Sequence, residues 1–387
     1  MECDTSLSKW LLEEGRFLSD NHELLERFCA VVIGAGVPLA RSWLHIRTLN
    51  PEFAGVSRVW RRGVKIEERF LDHGFEKTPA YLNSPVRYVV EHRAPKNWRL
   101  DNGNALPFPV LEELRDAGYV HYAIGPLIFS DGTANAVSWA TDQPGGFNGD
   151  DLQLFGEILP TYSAVVELKS LRRFAANVLS TYVGREPGNL ILNGQIRRGD
   201  VRSITAALMI VDLRDFTSMS DALAPPAVIE TLNQYYDCVI PPIKKRAGEV
   251  MKMMGDGILA IFTENSERNP REDCRAAFEA ATEGLDALAK VNQDVLTARQ
   301  NLRAGIALHH GQVSYGNIGA GDRLDFTVIG PDVNLTSRIE RLCRQLDRPL
   351  IMSKNFVDRL DQPMFEIGHF WLRGFSRMQL LYGLPAA

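Results

Sequence analysis

Two aspartates, an asparagine–arginine pair and a lysine have the types and spacing for phosphate chemistry in this 387-residue chain. Asp212 closes the apolar run Thr205–Val211 and leads into Leu213-Arg214-Asp215-Phe216-Thr217, where a helix is predicted to begin. An acid at a strand end, beside the N–H groups of a helix start, can hold a cation that also touches a phosphate. Asp256 lies in Gly255-Asp256-Gly257, the turn between predicted strands Val250–Met254 and Ile258–Phe262. Side by side, these strands would bring Asp212 and Asp256 within reach of one pair of ions. Each acid alone also has an ordinary reading, since Asp caps helices and Asp-Gly makes hairpin turns. Asn334 and Arg338 stand four apart in the predicted helix Val333–Cys343, so they project from one face. An amide and a guanidinium there suit a ribose oxygen and a phosphate whose charge grows during reaction. Alone, they read as a solvated helix face, and Lys252 alone reads as an edge lysine.

The elements that must position these groups form a predicted second domain, residues 201–387. Its strands are Thr205–Val211, Val250–Met254, Ile258–Phe262, Leu302–His309, Gln312–Gly316 and Asp325–Ile329. Its helices are Pro225–Ile243, Arg271–Val295 and Val333–Cys343. This order predicts a mixed sheet with helices covering one face, an α+β fold. Residues 1–160 read as a separate α/β unit. Helices are predicted at Leu7–Asp20, His22–Gly34, Val86–His92 and Phe108–Ala117, and strand-rich segments at Ser42–Leu49 and Val56–Phe70. Tyr122–Phe129 and Ala134–Ala140 form a hairpin across Ser130-Asp131-Gly132. Between the domains lies a linker, residues 161–200. Thr161, Ala164, Leu168, Leu171, Ala175, Val178 and Tyr182 repeat at 3-4 spacing, the seam of a parallel coiled coil or of an amphipathic helix on its own domain. The glycines and proline of Gly184–Asp200 then make a connector.

Composition narrows the function. Charged residues are 24% and the net charge is -5, so no basic excess favours nucleic acid. The longest apolar runs fall short of the roughly 20 residues that cross a membrane. The first residues lack a signal-peptide layout, and five scattered cysteines without a C-x-x-C pair point to neither disulfides nor zinc. The expected location is the cytoplasm. His45, His73, His92 and His121 lack metal-ligand spacing, and Trp43, Trp60, Trp98 and Trp139 read as core.

Taken together, the second-domain motifs resemble the catalytic domain of class III nucleotide cyclases. The resemblance runs from Ser203 to about Leu384. It rests on Val211-Asp212-Leu213-Arg214-Asp215-Phe216-Thr217, Lys252-Met-Met-Gly255-Asp256-Gly257, Gly316-Asn317-Ile318-Gly319, Arg323-Leu-Asp-Phe-Thr-Val-Ile-Gly330 and Val333-Asn334-Leu335-Thr336-Ser337-Arg338. It implies a ferredoxin-like core in which Asp212 and Asp256, helped by the Leu213 carbonyl, hold two divalent cations, Mg2+ or Mn2+. Asn334 would orient the ribose and Arg338 would neutralise the phosphorane as the ATP 3′-hydroxyl attacks the α-phosphorus. The N–H groups of Arg214, Asp215, Phe216 and Thr217 would cradle the β- and γ-phosphates, with Arg373 a further candidate for a phosphate contact.

By the same resemblance, Lys252 and Thr327 read the base. Lysine only donates and threonine can accept, which suits N1 and N6 of adenine. The Lys–Thr pair resembles a bacterial subgroup. The family implies a homodimer with shared sites, one subunit giving the metal acids and its partner the base-reading and Asn/Arg residues. The segment ending in Ser138–Phe147 resembles the GAF-like sensor units before some bacterial cyclases, which implies a small-molecule effector or a dimerisation role. The leading expectation is an adenylate cyclase. Kept beside it are a silent nucleotide-binding regulatory module, a cyclase with relaxed ATP/GTP selectivity, and a diguanylate cyclase, whose Gly-Gly-Asp/Glu-Glu-Phe turn this chain lacks.

Overall fold

The computed structural model describes residues 2–48, 53–195, 197–263, 269–293, 301–321 and 323–384. Its contacts fall into two units, Met1–Val178 and Leu179–Ala387. In the first, α1 (Glu2–Glu13) and α2 (Asn21–Gly34) precede β1 (Arg41–Arg47), β2 (Gly55–Arg61) and β3 (Val64–Leu71). Then come α3 (Pro79–Leu82), α4 (Pro85–His92), β4 (Lys96–Arg99), α5 (Pro109–Asp116), β5 (His121–Ile128) and β6 (Ala134–Thr141). The strands pair antiparallel in the order β3-β2-β1-β6-β5-β4. Ser84 caps α4 by accepting the Arg87 N–H at 3.3 Å. The single strand-rich segment expected over Val56–Phe70 is two strands, because the chain turns back at Arg62-Gly63.

Helix α6 (Gly149–Val183) begins well before the expected Thr161 and runs through Pro160. Its faces have different fates. Phe155, Ile158, Tyr162, Val165 and Val166 sink into the core formed with α1, α2 and the sheet. Each such buried apolar side chain contributes about 1.5–3 kcal/mol. Along the 3-4 seam, Ala164, Leu168, Leu171 and Tyr182 stay exposed. The seam is therefore not the face that packs on the helix's own domain.

The second unit opens with α7 (Arg185–Leu192), a helix inside the segment read as connector. Its other elements are β7 (Val201–Leu213), α8 (Phe216–Ala222), α9 (Pro225–Lys245), β8 (Glu249–Met254), β9 (Gly257–Thr263) and α10 (Pro270–Gln293). They continue with β10 (Ala304–Ala320), β11 (Arg323–Ile329), α11 (Pro331–Gln345), β12 (Leu350–Ser353), α12 (Lys354–Val357), β13 (Phe365–Phe370) and β14 (Gln379–Gly383). The sheet runs β13-β14-β12-β10-β7-β9-β8, with β11 on the far end of β10. The pairs are antiparallel except β10 with β12.

Two expectations need correction. The strands expected at Leu302–His309 and Gln312–Gly316 are one strand of 17 residues, since Gly311 continues the ladder opposite Ala206. Helices also cover both faces of the sheet, not one. Met209, Val211, Ile306 and Leu308 face α9 and α10, while Ala307 and Ile351 face Leu335, Ile339 and Cys343 of α11. The pleat sends alternate residues of each strand to opposite sides, so Asp212 shares Ile210's face with α11.

Candidate active site

The end of β7 and the β8–β9 turn make the acidic pair. Asp212 lies opposite Gly257, one residue past Asp256, in the β7–β9 ladder. Gly255 sits at φ +66 in that turn, a left-handed backbone that glycine adopts without strain. The Tyr236 hydroxyl on α9 donates to the Gly255 carbonyl and pins the turn. The sequence expectation that the two acids meet at a paired strand end matches this register. Burial, then the neighbouring Asp256 charge, raise the Asp212 pKa above the ordinary carboxylate value, and Arg344 lowers it. Arg344 reaches Asp212 at 3.7 Å but is itself largely exposed.

A half-buried acidic pair with one loose cationic neighbour fits divalent cations bound to hard oxygen ligands. Among the described residues no cluster of three or more His, Cys, Asp or Glu side chains is built to hold a metal. Two carboxylates and the Leu213 carbonyl would therefore leave coordination positions to nucleotide oxygens and water. Leu213 itself is buried, its side chain in the α9–α10 core.

After β7 the chain bends sharply. Asp215 takes φ +60 at the start of α8, and its carboxylate lies 3.6 Å from Arg303. Arg214 is engaged within the protein. Its N–H donates to the Arg303 carbonyl at 2.8 Å. Its buried guanidinium donates to Asp347 at 2.6 Å and to the Cys343 and Arg348 carbonyls. Because the Arg214 N–H is taken by Arg303, the expected cradle reduces to the N–H groups of Asp215, Phe216 and Thr217. Arg373 is exposed between β13 and β14.

An ion pair joins β8 to β11 near Thr327. The Lys252 ammonium pairs with Asp325, and Thr327 stands two residues on, the same face of β11 by the pleat. Asp325 escaped the sequence reading of this site, although its period-two spacing from Thr327 was the signal. Asn334 is exposed on the first turn of α11 and Arg338 lies one turn on. Among the described residues no hydrogen bond or ion pair joins either side chain to Asp212 or Asp256. At about 100° per residue, Arg338 points roughly 160° away from Glu340. Glu340 and Arg344 are the α11 residues that face Asp212. Burial, then the Asp212 charge, push Glu340 up to about 7. Neither residue was singled out from sequence. Their i, i+4 spacing was visible, but the helix face they occupy was not.

The match to known proteins follows this geometry. The model of the adenylate and guanylate cyclase catalytic domain matches residues 201–378. An adenylate cyclase of Anabaena cylindrica is 32% identical over 201 residues, 51% of this chain and 38% of that protein. The chain thus spans well under half of that relative's length. The adenylyl cyclase CyaB of P. aeruginosa is 23% identical over 49% of this chain and 97% of that one, with a TM-score of 0.44. The guanylyl cyclase Cya2 is 29% identical over 48% and 93%, with a TM-score of 0.41. Residues 201–378 thus match the family of adenylate and guanylate cyclase catalytic domains.

Proposed function

We propose that the chain is an adenylate cyclase, converting ATP to 3′,5′-cyclic AMP and pyrophosphate in a homodimer with shared sites. The observation that supports the choice of ATP is the Lys252–Asp325 pair, which holds a charged donor to the strand that carries Thr327, two residues on. Lys252 then donates to adenine N1 and Thr327 accepts from N6; guanine would present a donor and an acceptor in their places. The name of the Anabaena relative supports the same substrate.

In the reaction the ribose 3′-hydroxyl gives up its proton and attacks the α-phosphorus in line. A new P–O bond closes the ring, and the bond to the β-phosphate breaks, releasing pyrophosphate. Asp212, Asp256 and the Leu213 carbonyl would hold two divalent cations, Mg2+ or Mn2+, whose charge would acidify the hydroxyl and shield the triphosphate. Asn334 of the partner protomer orients the ribose, and Arg338 beside it neutralises charge on the equatorial oxygens. The Asp215, Phe216 and Thr217 amides face the β- and γ-phosphates. Arg338 turns away from the acids of its own chain, which supports completion of each site by a second copy. The exposed seam of α6 supports the same pairing.

The remaining parts of the reading are regulatory. Residues 1–160 act as a GAF-like sensor, with an effector or a dimerisation role; support comes from their separate core and six-stranded sheet. Residues 161–200 serve as linker and 201–387 as the catalytic domain. No helix among the described residues is long and apolar enough to cross a membrane. Cys29, Cys238, Cys274 and Cys343 are free and buried, which supports a cytoplasmic setting.

The test is to incubate the purified chain with Mn2+ and either ATP or GTP and to identify the product by chromatography. Cyclic AMP from ATP is expected. Cyclic GMP as the main product would overturn the base assignment, and no cyclic nucleotide from either would favour the silent module.

A further inference from the structure

Helix α11 carries Asn334 and Arg338, so its placement decides where they act. Most of its contact with the sheet is apolar, through Leu335, Ile339 and Cys343. Apolar packing is non-directional and does not by itself fix a helix's rotation. A directional tether exists at the first turn. One carboxylate oxygen of Asp332 accepts the Gln312 N–H at 2.7 Å, and the other lies 3.3 Å from His309 Nε2, close but off the line of a hydrogen bond. His309 is buried, and its Nδ1 bonds the Ser353 hydroxyl at 2.7 Å. Ser353 in turn caps α12. Asp332 thus ties α11 to β10 through the Gln312 N–H, beside His309, which bonds β10 to β12 through Ser353.

An Asp in a first turn often only complements the helix's own amides. This carboxylate instead bonds the neighbouring strand. The strand makes room for it, since a Cβ on Gly311 would lie 2.2 Å from Asp332 Oδ2. The contact with His309, then the Gln312 N–H, hold the Asp332 carboxyl below its ordinary value, so it is charged at neutral pH.

We infer that Asp332 is a positioning residue for the cyclase reaction, setting the depth and rotation of α11 and thereby the aim of Asn334 and Arg338. The inference rests on the reading under Proposed function. A misaimed Arg338 fails mainly in the transition state, so the loss falls on kcat and not on KM.

The test uses the full chain with Mn2+ and ATP, reading kcat, KM and melting temperature for D332A, D332N, G311A and G311A/D332A. In D332A kcat falls about ten- to a hundredfold with KM within about twofold, the size of a small misplacement. D332N keeps an oxygen for the Gln312 N–H and recovers most of the rate. G311A displaces Asp332 by collision with its carboxylate and, at 2.7 Å, its Cβ, so it lowers kcat in the parent and costs less, though not nothing, once Asp332 is alanine. The inference is overturned if folded D332A keeps the parent kcat, if kcat and KM change alike in step with melting temperature, or if the G311A loss persists undiminished in D332A. Should D332A not fold, D332N with G311A decides. An inactive parent chain would defeat the cyclase reading itself, a separate result from any of these.

Discussion

Each unit is a sheet with helices against it, yet they differ in whether acids are left crowded at a strand end. In the N-terminal sheet, titratable groups are silenced. Burial pushes His45 down to about 4, so the ring is neutral, stacked on Trp43 and edge-on to Phe75. Arg58, almost wholly buried, is paired with Glu68. In the C-terminal sheet, Asp212, Asp256 and Glu340 gather at one strand end with Arg344 as a loose counter-charge. A stability-driven fold removes such repulsion, whereas a site awaiting cations and a polyanion retains it. The contrast teaches where chemistry lies before any ligand is considered.

The sharpest way to break that contrast is to remove an acid. Asp212→Asn is expected to reduce ATP turnover to background while improving melting temperature slightly, because repulsion with Asp256 is relieved. Retained turnover, measured by chromatography of product, would show that the acidic pair is not the site. Arg338→Ala ranks next. A charge-neutralising arginine contributes about a thousandfold or more to kcat, so kcat should collapse with KM little changed. Lys252→Glu should cut ATP turnover sharply, and unchanged ATP kinetics would refute base reading. Asp325→Asn frees Lys252 from its ion pair and should change the ATP-to-GTP ratio of kcat/KM by about tenfold, the scale of one polar contact.

The smallest effect belongs to the N-terminal sheet. His45 is neutral when folded and has an ordinary pKa near 6.5 when unfolded. Below about 6.5 the unfolded chain binds the extra proton, so stability is fullest above that value and falls as pH drops towards 4. His45→Phe keeps the stacking ring without the titration and should flatten the calorimetric pH dependence across that window. An unchanged slope would remove His45 from the explanation.

How much was legible in the sequence follows from which signals are local. Asp212 and Asp256 could be singled out because each ends or joins short apolar runs that read as strands, although α8, α9 and β8 separate the paired strands β7 and β9. Thr327 and Asn334 were readable by motif order. Asp325 and Glu340 were not singled out, since their partners lie 73 and 128 residues away in sequence and no local pattern announces them. The Arg214 N–H drops out of the cradle for a related reason: its acceptor, the Arg303 carbonyl, comes beside it only through the pairing of β10 with β7. Gly311 reads as a strand break by itself. Beneath Asp332 it is a fitting that lets α11 approach.

The account's central claim is that each site draws its acids from one protomer and its arginine from the other. Mixing inactive Asp212→Asn with inactive Arg338→Ala tests it directly. Random exchange in a two-fold dimer makes half the dimers mixed, each with one intact site, so about a quarter of the parent rate should return. No recovery on mixing, with the parent chain active and exchange of protomers verified, would contradict the claim.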